Sequence, residues 1–364
     1  MIIQQNIIDF PTYAISSLEE TPELCLFFDI ETTGLSWKRS HLYLLGVIYF
    51  EEGHWIKKLY FCQKPSEELD VLKEFSLLLN SRSYLFHFNG STFDVPYLMH
   101  KYTFYQLEQS WEHLTSKDLY QAALPFKKLW GMEQMKQKNI EQKFGIERND
   151  PYTGGDLIGF YHQYLKTANE DLLQSLLLHN SEDMDGMIEL LPILYLQEIF
   201  QGNPKTFFPE IQMECFDETL VFDIALKYDT QIHFETDTGY YQVAISNNRC
   251  TITVPVVFGI KKYFFTDYKN YYYLKYEDCA IHKSVGAYVD KEYRENAKAH
   301  NCYQKKEGAF LPQFEELFLP MYKDNLKDSC GWFELSRNFL ESDKEWTIYV
   351  SQLLSHTIQV LKKV

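Results

Sequence analysis

The chain has 364 residues, 45% of them hydrophobic, and its 35 basic and 51 acidic side chains leave a formal net charge of −16. That length exceeds what one core usually serves, so two domains are expected, and the acidic balance argues against a tight nonspecific grip on a polyanion. Seven scattered cysteines without a Cys-x-x-Cys pair suggest neither a zinc ribbon nor a disulfide framework; with no basic-then-apolar leader and no apolar run of membrane-spanning length, a soluble cytoplasmic protein with buried thiols is expected.

The first strong element is Leu24-Cys25-Leu26-Phe27-Phe28, an apolar run that predicts a strand buried on both faces. Asp29 and Glu31 follow at once, two residues apart, so their side chains leave the same face of an extended backbone. Paired carboxylates repel unless they share a proton or a cation, and hard oxygen donors suit Mg²⁺ or Mn²⁺. The plainer reading is a polar strand end turning into solvent through Thr32, Thr33 and Gly34. Residues 41–50 and 55–61 predict two more antiparallel strands around a Glu51-Glu52-Gly53 turn. A helix is expected over 66–79 and a fourth strand over 84–88, closed by His87-Phe88-Asn89-Gly90. Asp94 lies near the start of the next helix, 95–102, where an acid is also an ordinary N-terminal residue.

A short fifth strand is expected near Lys117-Asp118-Leu119, with Asp118 either a loop residue or a ligand at the substrate end. Helices are predicted over 133–144, 156–166 and 169–196. The intervening loop, Arg148 to Gly155, reads as an ordinary interhelix turn; the alternative is that its Gly pair lets backbone lie along a substrate strand. On the last helix His179 and Asp183 are four apart and share a face. Asp183 also reads as an exposed helical acid, and Asp185, two residues further round, is a competing choice.

Phe28-Asp29-Ile30-Glu31-Thr32-Thr33-Gly34, then Asn89-Gly90-Ser91-Thr92-Phe93-Asp94, then His179 four residues before Asp183, resemble the three exonuclease motifs of the DEDD superfamily, which has an RNase H-like fold. About residues 22–200 are covered. Gly154 to Tyr161 followed by Leu178 to Asp183 looks most like the bacterial YprB-like ribonuclease H-like group of predicted exonucleases. The resemblance implies an α/β mixed sheet flanked by helices. It further implies two divalent cations, Mg²⁺ or Mn²⁺: Asp29 bridges them, Glu31 and Asp183 complete the tighter site, and Asp94 holds the second ion directly or through water. One subtype has Tyr four residues before the last Asp and the other has His five before it; His179 combines the residue type of one with the spacing of the other. It is therefore either the base for the attacking water or a packed histidine that shapes the site. The implied activity is metal-dependent 3′-5′ hydrolysis of phosphodiesters in DNA or RNA, with a single-stranded 3′ end as partner. The alternatives are a noncatalytic nucleic-acid or protein-binding module on the same scaffold, or a structure-selective endonuclease.

A boundary near Gln201-Gly202-Asn203-Pro204 would divide an RNase H-like exonuclease domain, 1–202, from a C-terminal α+β domain rich in antiparallel strands, 203–364. The acidity sits mainly in the first, with 16 basic and 28 acidic side chains before residue 203. Bound divalent cations would reverse the local field there. In the second, short strands are expected over 232–235, 240–246, 251–258, 262–265 and 271–276, with helices over 283–299 and 346–363. Residues 261–306 hold ten Lys or Arg, six Asp or Glu and nine tyrosines. They read either as a platform for single-stranded nucleic acid, with Lys291, Arg294 and Lys298 on one helical face, or as a tyrosine-rich sheet with a solvated face.

Overall fold

The strand Cys25–Thr32 is the axis of the N-terminal unit, and its first four residues are fully buried. The computed structural model describes residues 1–11, 21–202, 207–216, 218–230 and 232–363, so Asn203 and Pro204 of the expected boundary lie outside the described residues. It divides into two units, Met1–Gln197 and Glu198–Val364.

In the first unit, β1 (Ile2–Ile8), β2 (Cys25–Thr32), β3 (Leu42–Glu51), β4 (His54–Phe61), β5 (Tyr84–His87) and β6 (Thr115–Asp118) form one sheet in the order β1-β4-β3-β2-β5-β6. Pairing is antiparallel from β1 through β2 and parallel from β2 through β6. This is the expected RNase H-like mixed sheet. The turn from β3 to β4 puts Glu52 and Gly53 at φ 50° and 82°, the left-handed pair that lets two residues reverse a twisted hairpin. β1 is additional to the predicted elements: it is an edge strand whose inner five residues are exposed, so it carries no buried alternation to read.

The helices are α1 (Glu68–Asn80), α2 (Asp94–Phe104), α3 (Leu119–Ala123), α4 (Gln137–Lys143), α5 (Gly154–Thr167), α6 (Glu170–Glu189) and α7 (Pro192–Phe200). The single long helix expected over 169–196 is two, because Pro192 cannot continue the hydrogen-bond ladder and restricts Leu191 before it. Helix α6 packs on β2, β3 and β4. Gly46 on β3 makes this possible: a Cβ there would lie 2.2 Å from Asn180 Oδ1 and 2.9 Å from Met184 Cγ. Buried Lys57 of β4 adds a polar tie, donating to Ser181 Oγ at 2.8 Å and to Asp185 at 2.7 Å.

Among the described residues, the second unit holds three antiparallel sheets. Strands β7 (Phe207–Phe216), β8 (Thr219–Leu226), β9 (Phe234–Asp237), β10 (Gln242–Ser246) and β11 (Arg249–Pro255) pair in the order β7-β8-β11-β10-β9. Strands β12 (Val257–Phe264), β16 (Tyr303–Gln313) and β17 (Gly331–Glu334) form a second sheet, and β14 (Cys279–His282), β13 (Tyr271–Leu274) and β15 (Arg294–Asn296) a third. Helices α8 (Lys283–Gly286), α9 (Arg337–Leu340) and α10 (Asp343–Lys363) complete it. The helix expected over 283–299 is only one turn long. Residues 294–296 pair with β13 instead, and Arg294 lies over the Tyr272 ring at 4.3 Å, so Lys291, Arg294 and Lys298 share no helical face. The cysteines are free thiols, five buried, Cys279 half-buried and Cys215 exposed rather than buried as expected. No helix among the described residues is long and apolar enough to cross a membrane.

Candidate metal centre

Strand β2 carries two half-buried carboxylates at the end of an apolar run, and the sequence spacing puts Asp29 and Glu31 on one face. Burial, followed by the charges of Asp183, Asp94 and Glu31, pushes the Asp29 carboxyl well above the usual carboxylate range; a 2.7 Å bond from Asn180 Nδ2 to its Oδ2 works the other way. Glu31 is raised by burial and then by Asp183 and Asp94, against a weak bond donated by the Tyr43 hydroxyl at 3.4 Å. Mutual repulsion of this kind is relieved by a proton or by a cation.

Helix α6 brings the last motif over this strand end. His179 Nε2 is 3.4 Å from Glu31 Oε1 and 3.3 Å from Asp183 Oδ2. One ligand atom from each of Glu31, His179 and Asp183 lies within 4.8 Å of the other two. The donor set, carboxylate oxygens with one imidazole, fits a hard or borderline divalent cation. Asp94 stands at the start of α2, buried, with its carboxyl pushed up to about 7 by burial and by Asp118 against a bond from its own backbone amide. It is thus both a helix N-terminal residue and a charge felt by Asp29 and Glu31. Asp185 is drawn away from the cluster by Lys57.

Asp118 has a structural task. Its oxygens accept from the amides of Tyr120 (3.0 Å) and Gln121 (3.4 Å) as the N-cap of α3, and from Asn89 (2.9 Å) and Ser91 (3.3 Å) in the turn that leads to Asp94. The same turn is closed by Gly90 N donating to His87 Nδ1 at 3.1 Å. A Cβ on Gly90 would come within 2.8 Å of that ring.

The loop before α5 enters the site, where sequence reasoning saw an ordinary turn. Arg148 Nη1 donates to Asp183 Oδ1 at 2.5 Å, and the same guanidinium grips buried Glu141 through Nε and, at 2.6 Å, Nη2. Two residues on, Asp150 Oδ2 lies 2.5 Å from His179 Nδ1. Burial works against ionising Asp150, but bonds from Lys138, the Tyr152 amide and His179 hold its carboxyl below the usual carboxylate range. The loop backbone is fastened to α6 by Glu182, which accepts from the amides of Asn149 (3.0 Å) and Asp150 (2.9 Å). Arg148, Asp150, Glu141, Asn180 and Tyr43 are therefore site residues that the sequence pattern did not single out. The only signal was a pair of charged residues in a loop ahead of the last motif.

Residues 26–195 match the family model of the RNase_H superfamily. The matched stretch carries an RNase H-like mixed sheet flanked by helices. The uncharacterized protein YprB of Bacillus subtilis (strain 168) is 27% identical over 168 residues, 45% of this chain and 40% of that protein, so the match spans less than half of YprB. Among solved structures, the family B DNA polymerase of the archaeon Pyrobaculum calidifontis is similar at 18% identity over 48% of this chain and 26% of that one, with a TM-score of 0.37. A complex of E. coli exonuclease I with single-stranded DNA gives 11% identity over 93% of this chain and 72% of that one, at a TM-score of 0.33.

Proposed function

We propose that the N-terminal unit is a metal-dependent nuclease that hydrolyses phosphodiesters from the 3′ end of single-stranded DNA or RNA. One observation carries the reading: Glu31, His179 and Asp183 converge beside Asp29, on elements that come from opposite ends of the domain. Asp29, Glu31, Asp94 and Asp183 would hold two divalent cations, Mg²⁺ or Mn²⁺. Such ions, when bound, stabilise the attacking and leaving oxygens of a phosphodiester as Lewis acids.

The protein's own groups supply position and a base. Asp150, held ionised, can only accept from His179, so Nδ1 carries a ring proton and Nε2 is the nitrogen turned to the carboxylates and any cation they hold. His179 is then the group that takes the proton of the attacking water. Arg148 occupies Asp183 Oδ1 and leaves Oδ2 toward the site.

The test is product length from 5′-labelled single-stranded DNA and RNA with Mg²⁺, Mn²⁺ or EDTA. Progressive shortening from the 3′ end with either metal, none in EDTA, and none in Asp29→Asn or Asp183→Asn is expected. Internal fragments at early times would mean an endonuclease, and an oligonucleotide bound but never cut would mean a noncatalytic scaffold.

A further inference from the structure

The loop that leaves β2 after Glu31 is closed on itself. Thr33 N donates to His41 O, and His41 N donates to Thr33 Oγ1, each at 2.9 Å. Ser40 Oγ donates to Ser36 O at 2.9 Å and lies 3.1 Å from the Tyr97 hydroxyl, while Lys101 Nζ donates to Ser40 O at 2.7 Å. Ser40, Tyr97 and Lys101 are all buried, so the loop is fastened to α2 before any ligand arrives.

What this fixed loop presents is aromatic and cationic. Trp37 stacks on His100 of α2 with ring centroids 4.9 Å apart at 14°, and Phe104 stands edge-on to it at 6.5 Å. His100 and Phe104 are exposed, the latter 62%. Lys38 lies 5.2 Å from the Trp37 ring centroid, and neither Lys38 nor Arg39, both exposed, has a carboxylate partner among the described residues. Acids are absent from Thr32 to Phe50 and from Val95 to Leu107, in a half of the chain where acids outnumber bases 28 to 16. A purely apolar contact with another protein leaves those two cations uncompensated; a polyanion with unpaired bases satisfies both rings and charges.

We propose that Trp37, His100 and Phe104, with Lys38 and Arg39, form a docking platform for single-stranded nucleic acid. Its direction rests on the nuclease reading: α2 carries Asp94 in its first turn and Phe104 in its last, about 15 Å further along. A strand whose 3′ end reaches the carboxylates needs only a few nucleotides to span that distance and lie on the platform.

The experiment is a fluorescence anisotropy titration of the full chain, in EDTA and at several salt concentrations, against a labelled dodecanucleotide and a labelled dinucleotide. Phe104→Ala and Trp37→Ala should each weaken dodecanucleotide binding about tenfold. The double variant Lys38→Gln/Arg39→Gln should lower the slope of log affinity against log salt by about 1.4, and dinucleotide binding should change little in any variant. Because Phe104 is exposed, its replacement should leave Tm unchanged, which covers a loop disturbed by Trp37→Ala. Wild-type affinity in Phe104→Ala together with a wild-type salt slope in the double variant overturns the platform. So does a wild type that binds no single strand, which would leave the patch to a protein partner. Hydrolysis with Mn²⁺ is scored apart. Platform variants that lose binding while the wild type never cuts would sink the nuclease reading alone; cutting and binding untouched by the variants would sink the platform alone.

Discussion

The contact between Asp150 and His179 turns an atypical motif into a defined chemical arrangement, because an ionised carboxylate on Nδ1 requires a proton there and makes Nε2 the ring nitrogen that can act as a base. If Nε2 is the base, His179→Ala should slow single-turnover cleavage about 10²- to 10⁴-fold. Asp150→Asn presents an amide that can turn to donate, which places the ring proton on Nε2 and should lower the same rate while Mn²⁺ binding, followed by electron paramagnetic resonance, persists. A rate unchanged in His179→Gln would remove the ring from the mechanism. Asp29 makes the complementary case. It sits among like charges that raise its carboxyl, so Asp29→Asn should leave the metal-free protein as stable as wild type or more so. The same change should abolish most of the rise in Tm on adding Mn²⁺. Scanning calorimetry with and without the ion reads both effects.

Two elements depend on single residues for their seating. Helix α6 reaches β3 only because Gly46 has no side chain, so Gly46→Ala must push Asn180 and Met184 outward. Overpacking of this sort costs about 1 to 3 kcal/mol. The same shift would disturb Asn180 on Asp29 and the neighbouring His179, so Mn²⁺ affinity should fall along with denaturant stability. Unchanged Mn²⁺ affinity in a folded Gly46→Ala protein would show that the seating of α6 does not set the metal site. In the second unit, Asp278 follows β13 and accepts from the hydroxyls of Tyr273 on that strand (2.6 Å) and Tyr303 on β16, and from Lys305 at 3.2 Å. Those bonds lower its carboxyl to about 2. A depressed carboxylate contributes stability above its unfolded value of about 3.9 and loses that contribution as pH falls toward 2. Asp278→Asn should therefore be less stable than wild type at neutral pH, and the gap should close on acidification from about pH 4 to pH 2. A gap independent of pH, measured by urea unfolding across that range, would assign the loss to packing rather than charge.

At the scale of the whole molecule, the carboxylates and histidine of the candidate site all precede residue 184. Their hydrophobic core is drawn from residues 26–177, within the first unit. A fragment of residues 1–202 should unfold cooperatively and keep the Mn²⁺-dependent rise in Tm, read by thermal melts with and without the ion. A fragment that folds but gains nothing from Mn²⁺ would mean that metal binding needs residues beyond 202. The net charge of −16 loses some of its force as an objection to a nucleic-acid substrate once its placement is considered. Part of the acidity is the site itself, while the two segments that carry Trp37 and Phe104, residues 32–50 and 95–107, contain no acids.

Five of the six strands of the N-terminal sheet, and the acids at the end of β2, are legible in the sequence. Runs such as residues 24–28 and 42–50 have one way to be buried, and acids that interrupt an apolar strand or open a helix stand out against local rules. Weakly patterned pieces were not legible: edge strand β1 buries little, and residues 294–296 join β13 through partners far from any local signal. Tertiary structure alone decided which loop residues enter the site. Asp150 meets His179 across 29 residues, Arg148 meets Asp183 across 35, and Asn180 reaches Asp29 across 151. Contacts at such separations follow from how α6 and its preceding loop settle on the sheet, a global packing outcome in which a loop arginine and a loop aspartate carry no periodicity of their own.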